Sequence, residues 1–424
     1  WSISHLTKGF ISVNQNLSIS QALKIFGSSS LGSLTFIFTD SFWFNAVEAE
    51  VYAMASLIMS LLFWLGLKWV DNIDHERGDK WLILICFVVG LSFGVHFMGL
   101  LTIPAIGLLY YFKKYSFSIK SFLIANVISI LVLLFIFKLL LPTTLSIFGY
   151  VEVFFVNEIG LPFNFGTAFS ALLMIFIIYF LLKKTHSKKH YLLNTITLCI
   201  TFIFIGFSSW LMIPIRSNAN TVINENSPSD ARSLLAYYNL EQYPDTYLFF
   251  GPMYSDIYSG QDQDEPYKDD KPKYERDYVK NKYVIVNNWK KGKLNNNKKH
   301  MGFFPRMWSS ENAINYLKFS GLLKFSIKDE FKDQDQLIQL VDQFKSNIDL
   351  NEVDPEQFHE FLSNYGSYLD IEKPTIISNF KYFLLFQINK MYLRYFMWNF
   401  AGRQNDLQWR GGSENGNWLS GINF

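Results

Sequence analysis

Cysteine is nearly missing from this sequence: Cys86 and Cys199 are the two in 424 residues. Each sits inside an apolar run, where a thiol behaves as a small buried hydrophobe. They build neither a disulfide framework nor a CxxC pair, so they assign no redox compartment. Charge is scarce too. Asp, Glu, Lys and Arg make up 17% of the chain, against about 25% in an average soluble domain. The net charge of +2 gives no argument for nucleic acid. No P-loop, GxGxxG or HExxH motif is present, so any chemistry must come from scattered residues. What remains is apolar and aromatic. Half the chain is hydrophobic, 18% is aromatic, and Phe alone occurs 42 times. That balance points to a membrane.

The stretch Thr39–Tyr52, TDSFWFNAVEAEVY, lies between two long apolar runs and carries Asp40, Glu48 and Glu50. Carboxylates at the mouth of a membrane helix are costly and mark function by default. On a regular helix at about 100° per residue, Ser41, Asn45, Glu48, Tyr52 and Ser56 share one polar stripe. Glu50 falls on the opposite side with Trp43, Ala46, Leu57 and Leu61. The wheel therefore favours Glu48 as the working carboxylate and Glu50 as structural. Helix capping by Asp40 and the macrodipole acting on the two glutamates are the competing explanations.

Apolar runs predict membrane crossings over Gln21–Phe38, Ala46–Leu67, Phe122–Leu141, Ala168–Leu182 and Tyr191–Ile213. Trp81–Phe112 is too long for one crossing and holds Gly94, His96, Gly99 and Pro104, so it reads as two short helices meeting near His96. Pro142 is expected to stop its helix, leaving Thr143–Gly166, with Glu152 and Glu158, along an interface. The loops 68–80, 113–120 and 183–190 fall on one side and hold nearly all the membrane-proximal Lys. By the positive-inside rule that side is cytoplasmic. The acidic turn, the His96 bend and everything beyond Pro214 then lie opposite.

After Pro214 the chain turns polar. A water-exposed, mixed but mainly helical domain is expected over 214–378, with a short strand at Lys282–Val286 and an amphipathic helix at Asp333–Lys345. Residues 379–424 read as an interfacial amphipathic helix, Asn379–Phe400, and a Gly- and Asn-rich loop. Residues 1–213 form the helical bundle. Asn16-Leu17-Ser18 fits a glycosylation sequon, unused on the cytoplasmic side. No internal repeat is visible, and polar groups gather at one face, which disfavours a transporter.

Among the cationic residues, His96 stands at a helix break, where phosphate binding, proton relay and a satisfied buried role are all open. Arg216 follows the last crossing, where it either anchors the interface or clamps an anionic head group. FFPRMW (Phe303–Trp308) and RYFMWNFAGRQND (Arg394–Asp406) mix aromatics with Arg306, Arg394, Arg403 and amides, a combination suited to a sugar or lipid head group.

TDSFWFNAVEAEVYAM, GLSFGVHFMGLLTIPAI, IRSNAN…INENSPSD, FFPRMW and MYLRYFMWNFAGRQND…GNW together resemble one family. It is a multi-spanning Bacteroidota family, formerly of unknown function, related to the vertebrate transmembrane protein O-mannosyltransferase. The resemblance implies an all-α polytopic glycosyltransferase of GT-C type in the cytoplasmic membrane, with its soluble domain on the periplasmic side. It implies transfer of a sugar, mannose in the first instance, from a polyprenyl-phosphate carrier to Ser or Thr of exported proteins. Asp40, Glu48 and Glu50 become the catalytic candidates, and His96, Arg216, Arg306, Arg394 and Arg403 the substrate-binding ones. A divalent cation is one way to neutralise the phosphate, and no metal ligand is assigned. The family's first outer loop supplies an essential acidic residue, expected upstream of Trp1, and further helices are expected beyond Phe424. The competing readings are a lipid-linked transferase assembling envelope glycan and a membrane scaffold or transporter without catalytic activity.

Overall fold

The computed structural model describes residues 1–11, 17–219, 221–243, 245, 247–259, 264–405, 407 and 415–421. Asn16 of the sequon and Asp406 of the arginine-rich motif lie outside the described residues. The chain forms two compact units, Trp1–Tyr243 with Tyr274–Val284, and Pro244–Lys273 with Ile285–Phe424. This division differs from the expected 1–213, 214–378 and 379–424. The described residues of 214–243 and 274–284 pack with the helices, and those of 379–424 with the second unit.

The first unit begins with α1 (Ser2–Phe10) against α2 (Ile19–Ile37), joined by a Ser4–Ser29 hydroxyl pair at 2.7 Å. Ser18 and Gln21 form a capping box that starts α2. There follow α3 (Asp40–Val47), α4 (Tyr52–Asn72), α5 (Asp79–Ser92), α6 (Thr102–Lys114), α7 (Ile119–Leu134) and α8 (Leu141–Asn157). Then come α9 (Phe165–Ser187), α10 (Tyr191–Phe207), α11 (Met212–Ser217) and α12 (Ala231–Tyr238). Its core draws Ile58, Leu62 and Leu65 of α4, Val88 and Val89 of α5, and Ile203 of α10 into one cluster. Glycine brings α5 and α10 into backbone contact. A Cβ on Gly90 would lie 2.1 Å from the Ile203 carbonyl, and one on Gly206 2.2 Å from that of Phe87. Such close approach is how small residues drive helix association in lipid.

Among the described residues four helices are long and apolar enough to cross a membrane: Tyr52–Asn72, Ile119–Asn157, Phe165–Ser187 and Tyr191–Ser217. The expected crossing Gln21–Phe38 and the stretch Trp81–Phe112 are helical but fall outside this set. The latter is two helices, as anticipated, with α5 of 14 and α6 of 13 residues on either side of His96 and a 3₁₀ turn, Phe97–Leu101. At about 1.5 Å per residue, neither reaches across a hydrocarbon core about 30 Å thick.

Pro142 does not stop its helix, and the segment after it does not leave the bundle. The chain stays helical from Ile119 to Asn157 by switching to a π register over Phe135–Leu140. Proline removes an N–H and crowds the preceding turn, and a wider turn relieves the crowding. In that register Leu141 N donates to Ile136 O, and the next bond, from residue 142 to Phe137 O, has no hydrogen to make it. The Tyr238 hydroxyl donates to that carbonyl instead, at 2.7 Å.

The second unit holds α13 (Asp256–Ser259), α14 (Ala313–Ser320), α15 (Asp335–Asp349), α16 (Pro355–Tyr365), α17 (Ile376–Tyr382) and α18 (Arg394–Met397). Among the described residues its strands pair in twos, including Phe250–Pro252 with Met301–Phe303 and Phe325–Ile327 with Leu369–Ile371, both antiparallel. The core stacks Phe344 of α15 on Phe361 of α16, centroids 3.7 Å apart, beside Phe358, Leu362 and Tyr316. The expected strand and amphipathic helix are both present, as Lys282–Ile285 and α15. Between α17 and α18 the helix is π-form over Phe383–Leu393. One face of this stretch, with Asn379, Tyr382 and Phe386, is buried in the unit's core, while Ile377, Leu384 and Tyr392 are exposed. The Gly- and Asn-rich tail is not all loop: Gly402–Arg403 pairs with Trp418–Leu419.

Candidate active site

The acidic stretch is not one regular helix, so the wheel that separated Glu48 from Glu50 does not apply. α3 ends at Val47, Glu48 is extended at φ −81° and ψ 147°, and bends run through Glu50 before α4 starts at Tyr52. The break suits the macrodipoles, which disfavour carboxylates at the C-terminus of α3 and favour them just ahead of α4. Glu48 and Glu50 are both exposed. Asp40 is half-buried in the first turn of α3, whose N-cap is Thr39 rather than Asp40 itself.

Tyr52, two residues past Glu50, packs its ring 5.6 Å from the His96 imidazole. His96 caps the 3₁₀ turn after α5, its Nδ1 accepting the Met98 N–H at 3.1 Å. A neutral ring with Nδ1 accepting carries its proton on Nε2, and among the described residues no acceptor is bound there. The end of α5 is tied to the end of α10 by the Trp210 indole, which donates to Phe93 O at 2.5 Å. Arg216 follows in the last turn of α11 and is exposed. The acidic bend and His96 thus meet through Tyr52, and Arg216 follows the end of α10 that Trp210 ties to α5.

The arginines of the second unit form their own groups. Arg306 donates through Nη2 to Leu248 O at 3.1 Å and lies over Phe304 at 4.7 Å. Arg394 is buried and Arg403 exposed, and both guanidiniums sit over Trp398, at 5.7 and 4.6 Å.

A polar network in the first unit was only half visible in the sequence. Glu152, 1% exposed, accepts from Asn164 N at 2.5 Å, Thr167 N at 2.8 Å and the Tyr283 hydroxyl at 3.2 Å. Arg276 completes it, donating to Tyr283 Oη at 3.2 Å and to Asn164 Oδ1 at 2.6 Å, with Asp230 3.8 Å away. Burial works against the Arg276 charge, but the bonds to Tyr283 and the nearby carboxylate outweigh it and raise its pKa. Burial also pushes the Tyr283 phenol up, so it stays protonated and donates. Glu152 was noticed as a carboxylate among aromatics. Arg276 and Tyr283 were not, because their hairpin returns from more than a hundred residues away, and YERDY was the only local sign. This network is satisfied internally and holds the start of α9.

An apolar cavity of about 480 Å³ lies among α5, α6 and α7, lined by residues such as Val89, Ile103, Tyr110 and Ile128. It extends toward the Tyr110–Tyr115 end of α6, away from His96. Among the described residues, no three His, Cys, Asp or Glu side chains cluster as a metal site would need.

Comparison with known families bears on this end of the first unit. Residues 1–119 match the N-terminal domain of protein O-mannosyl-transferase TMEM260. The matched stretch contains Asp40, Glu48, Glu50, Tyr52 and His96. Residues 244–384, most of the second unit, match a family of unknown function, DUF8416. No curated protein and no solved structure matches the chain.

Proposed function

We propose that the protein is a membrane glycosyltransferase of O-mannosyltransferase type, with a GT-C-like arrangement of its helices. The observation that carries this reading is the match of residues 1–119 to the TMEM260 N-terminal domain. It falls on the stretch where two exposed carboxylates precede α4, whose first residue, Tyr52, packs beside His96. A lipid-linked donor is met in the membrane and a protein acceptor arrives from water, so the reaction belongs at a helix end.

In the proposed reaction a Ser or Thr hydroxyl of an exported protein attacks the anomeric carbon of a polyprenyl-phosphate-linked mannose. The new C–O bond forms as the bond to the phosphate oxygen breaks, and the lipid phosphate departs. Glu48 or Glu50 takes the hydroxyl proton as general base, with Asp40 as the further carboxylate of the turn. Arg216 and the Nε2–H of His96 stabilise the charge that develops on the phosphate. Arg306, Arg394 and Arg403 are assigned to substrate binding on the second unit. The cytoplasmic membrane, with the second unit on the periplasmic side, is the location this chemistry requires.

The test is transfer by the purified protein in detergent from mannosyl polyprenyl phosphate to a Ser/Thr peptide, followed by mass spectrometry. A hexose added to Ser or Thr supports the proposal. Transfer to a lipid-linked glycan with none to peptide would move the reading to envelope glycan assembly, and no transfer to either would remove it.

A further inference from the structure

We propose that the second unit carries a binding site for a neutral sugar ring, in a cavity of about 360 Å³ lined by Tyr254, Asp256, Leu294, Asn295, Asn296 and Trp308. The volume is at the small end of ligand pockets, which run about 300–1,000 Å³. It has room for a sugar ring and none for a polyprenyl tail.

The lining has the two kinds of group a pyranose needs. Its C–H face is apolar and lies flat on an aromatic ring, and its hydroxyls need planar donors and acceptors. Trp308 is half-buried, with Tyr247 edge-on at 6.4 Å, and supplies the aromatic wall. Asp256 accepts from Asn296 Nδ2 at 2.8 Å and from Asn297 N at 2.9 Å, one bond to each oxygen. Each carboxylate oxygen keeps a further lone pair for a hydroxyl, and Asn296 keeps its carbonyl and second amide hydrogen.

The site is also built in advance. Tyr254 N donates to Met307 O at 2.8 Å, which fixes the residue before Trp308 against the segment leading to Asp256. Asn295 N donates to Pro266 O at 2.9 Å, and Met253 N to His300 O at 2.9 Å. Groups held this way lose little freedom on binding.

Charge and backbone exclude other ligands. Among the described residues no Lys or Arg lines the cavity, and Asp256 is the charged side chain that a phosphate or other anion would meet there. An extended peptide needs an open strand edge, and the adjoining strand Phe250–Pro252 is already paired with Met301–Phe303 and ends in a proline. The sequence had marked FFPRMW as an aromatic–arginine mixture suited to a sugar or lipid head group; Trp308 is its last residue. The proposal does not depend on the transfer reaction, since it concerns binding of a free sugar.

The experiment is saturation-transfer NMR on the full chain in detergent, with free mannose, glucose, galactose, N-acetylglucosamine and α-mannobiose. A Ser/Thr-rich peptide and a Lys-rich peptide serve as competitors. Saturable binding of at least one sugar is expected, weakened tenfold or more by Trp308→Leu and by Asp256→Asn at unchanged melting temperature, and retained by Trp308→Tyr. If Trp308→Leu fails to fold, Asp256→Asn and Trp308→Tyr decide. The idea is overturned if no sugar binds, if binding survives both substitutions, or if a peptide displaces the sugar and is itself lost with Trp308.

Discussion

Glu48 and Glu50 are separated by one residue, and both are exposed just ahead of α4. A carboxylate that faces solvent and holds no buried neighbour costs little to neutralise, since surface changes usually stay within about 0.5 kcal/mol. Glu48→Gln and Glu50→Gln should therefore melt with the wild type, and a stability role for Glu50, which the helical wheel had suggested, is not expected. If one of them is the general base, its substitution should lower transfer at least about a hundredfold. Equal activity in both variants would move the base elsewhere, with Asp40 next to test. Titration gives a second residue-level expectation. His300 is buried, its Nδ1 2.8 Å from Ser255 Oγ, and burial lowers its pKa from the ordinary 6.5. Asp256 and Asp370 oppose that shift, while Lys373 and Lys299 add to it. The folded state thus prefers the neutral ring, and below pH 6.5 the unfolded chain binds a proton that the folded one refuses. The stability it contributes is whole above that pH and is lost as pH falls through it. Melting scans between pH 7.5 and 5.5 should show a drop that His300→Gln reduces; an equal drop in both would refute the assignment.

Single polar contacts decide how several elements begin and end. Glu152 closes the N-terminus of α9 by accepting two backbone N–H groups there. Glu152→Ala would leave those donors and the Tyr283 hydroxyl unpaired, at about 1–3 kcal/mol for each buried group. A lower unfolding midpoint, with α9 opening first in hydrogen exchange, is the expected reading. Wild-type protection of α9 in the variant would show the cap to be dispensable. Tyr238→Phe is a finer test of the same kind. It removes only the hydroxyl that satisfies Phe137 O in the π turn, so a loss of about 1–3 kcal/mol is expected. These examples also mark what could be read from sequence. The apolar runs located the helices, and Gly94, His96 and Pro104 correctly split 81–112. Pro142 misled because its effect depends on Tyr238, which supplies the missing donor from 96 positions away. The break at Glu48 was missed because residues 41–56 fit a helical period well, and dipole effects at two adjoining termini leave no trace in a hydrophobic pattern. The cavity beside Trp308 joins three separated segments, so only its aromatic motif was visible.

At the scale of the whole chain, the positive-inside argument remains a definite claim about sides. α9 runs into the basic segment Lys183–His190, and α10 leaves from it, so these two helices share that end by connectivity alone. Lys and Arg in short loops are held on the cytoplasmic side during insertion. If Phe165–Ser187 and Tyr191–Ser217 both cross, as their length and composition allow, Ser187 is cytoplasmic and the chain after Ser217 emerges opposite. Ser259, in α13, then faces the periplasm. Labelling can decide this once Cys86 and Cys199, the two natural thiols, are replaced by Ala. They are half-buried neighbours on α5 and α10, so the exchange should be tolerated. Single cysteines are then placed at Ser187 and Ser259 and treated in intact cells with a membrane-impermeant maleimide. Cys at 259 should react before lysis and Cys at 187 only after it. Reaction of both from outside, or of neither, would place the basic loop and the second unit on one side. An acceptor arriving from the periplasm would then have no route to both His96 and the second unit, and the proposed transfer to exported proteins would fail with the topology.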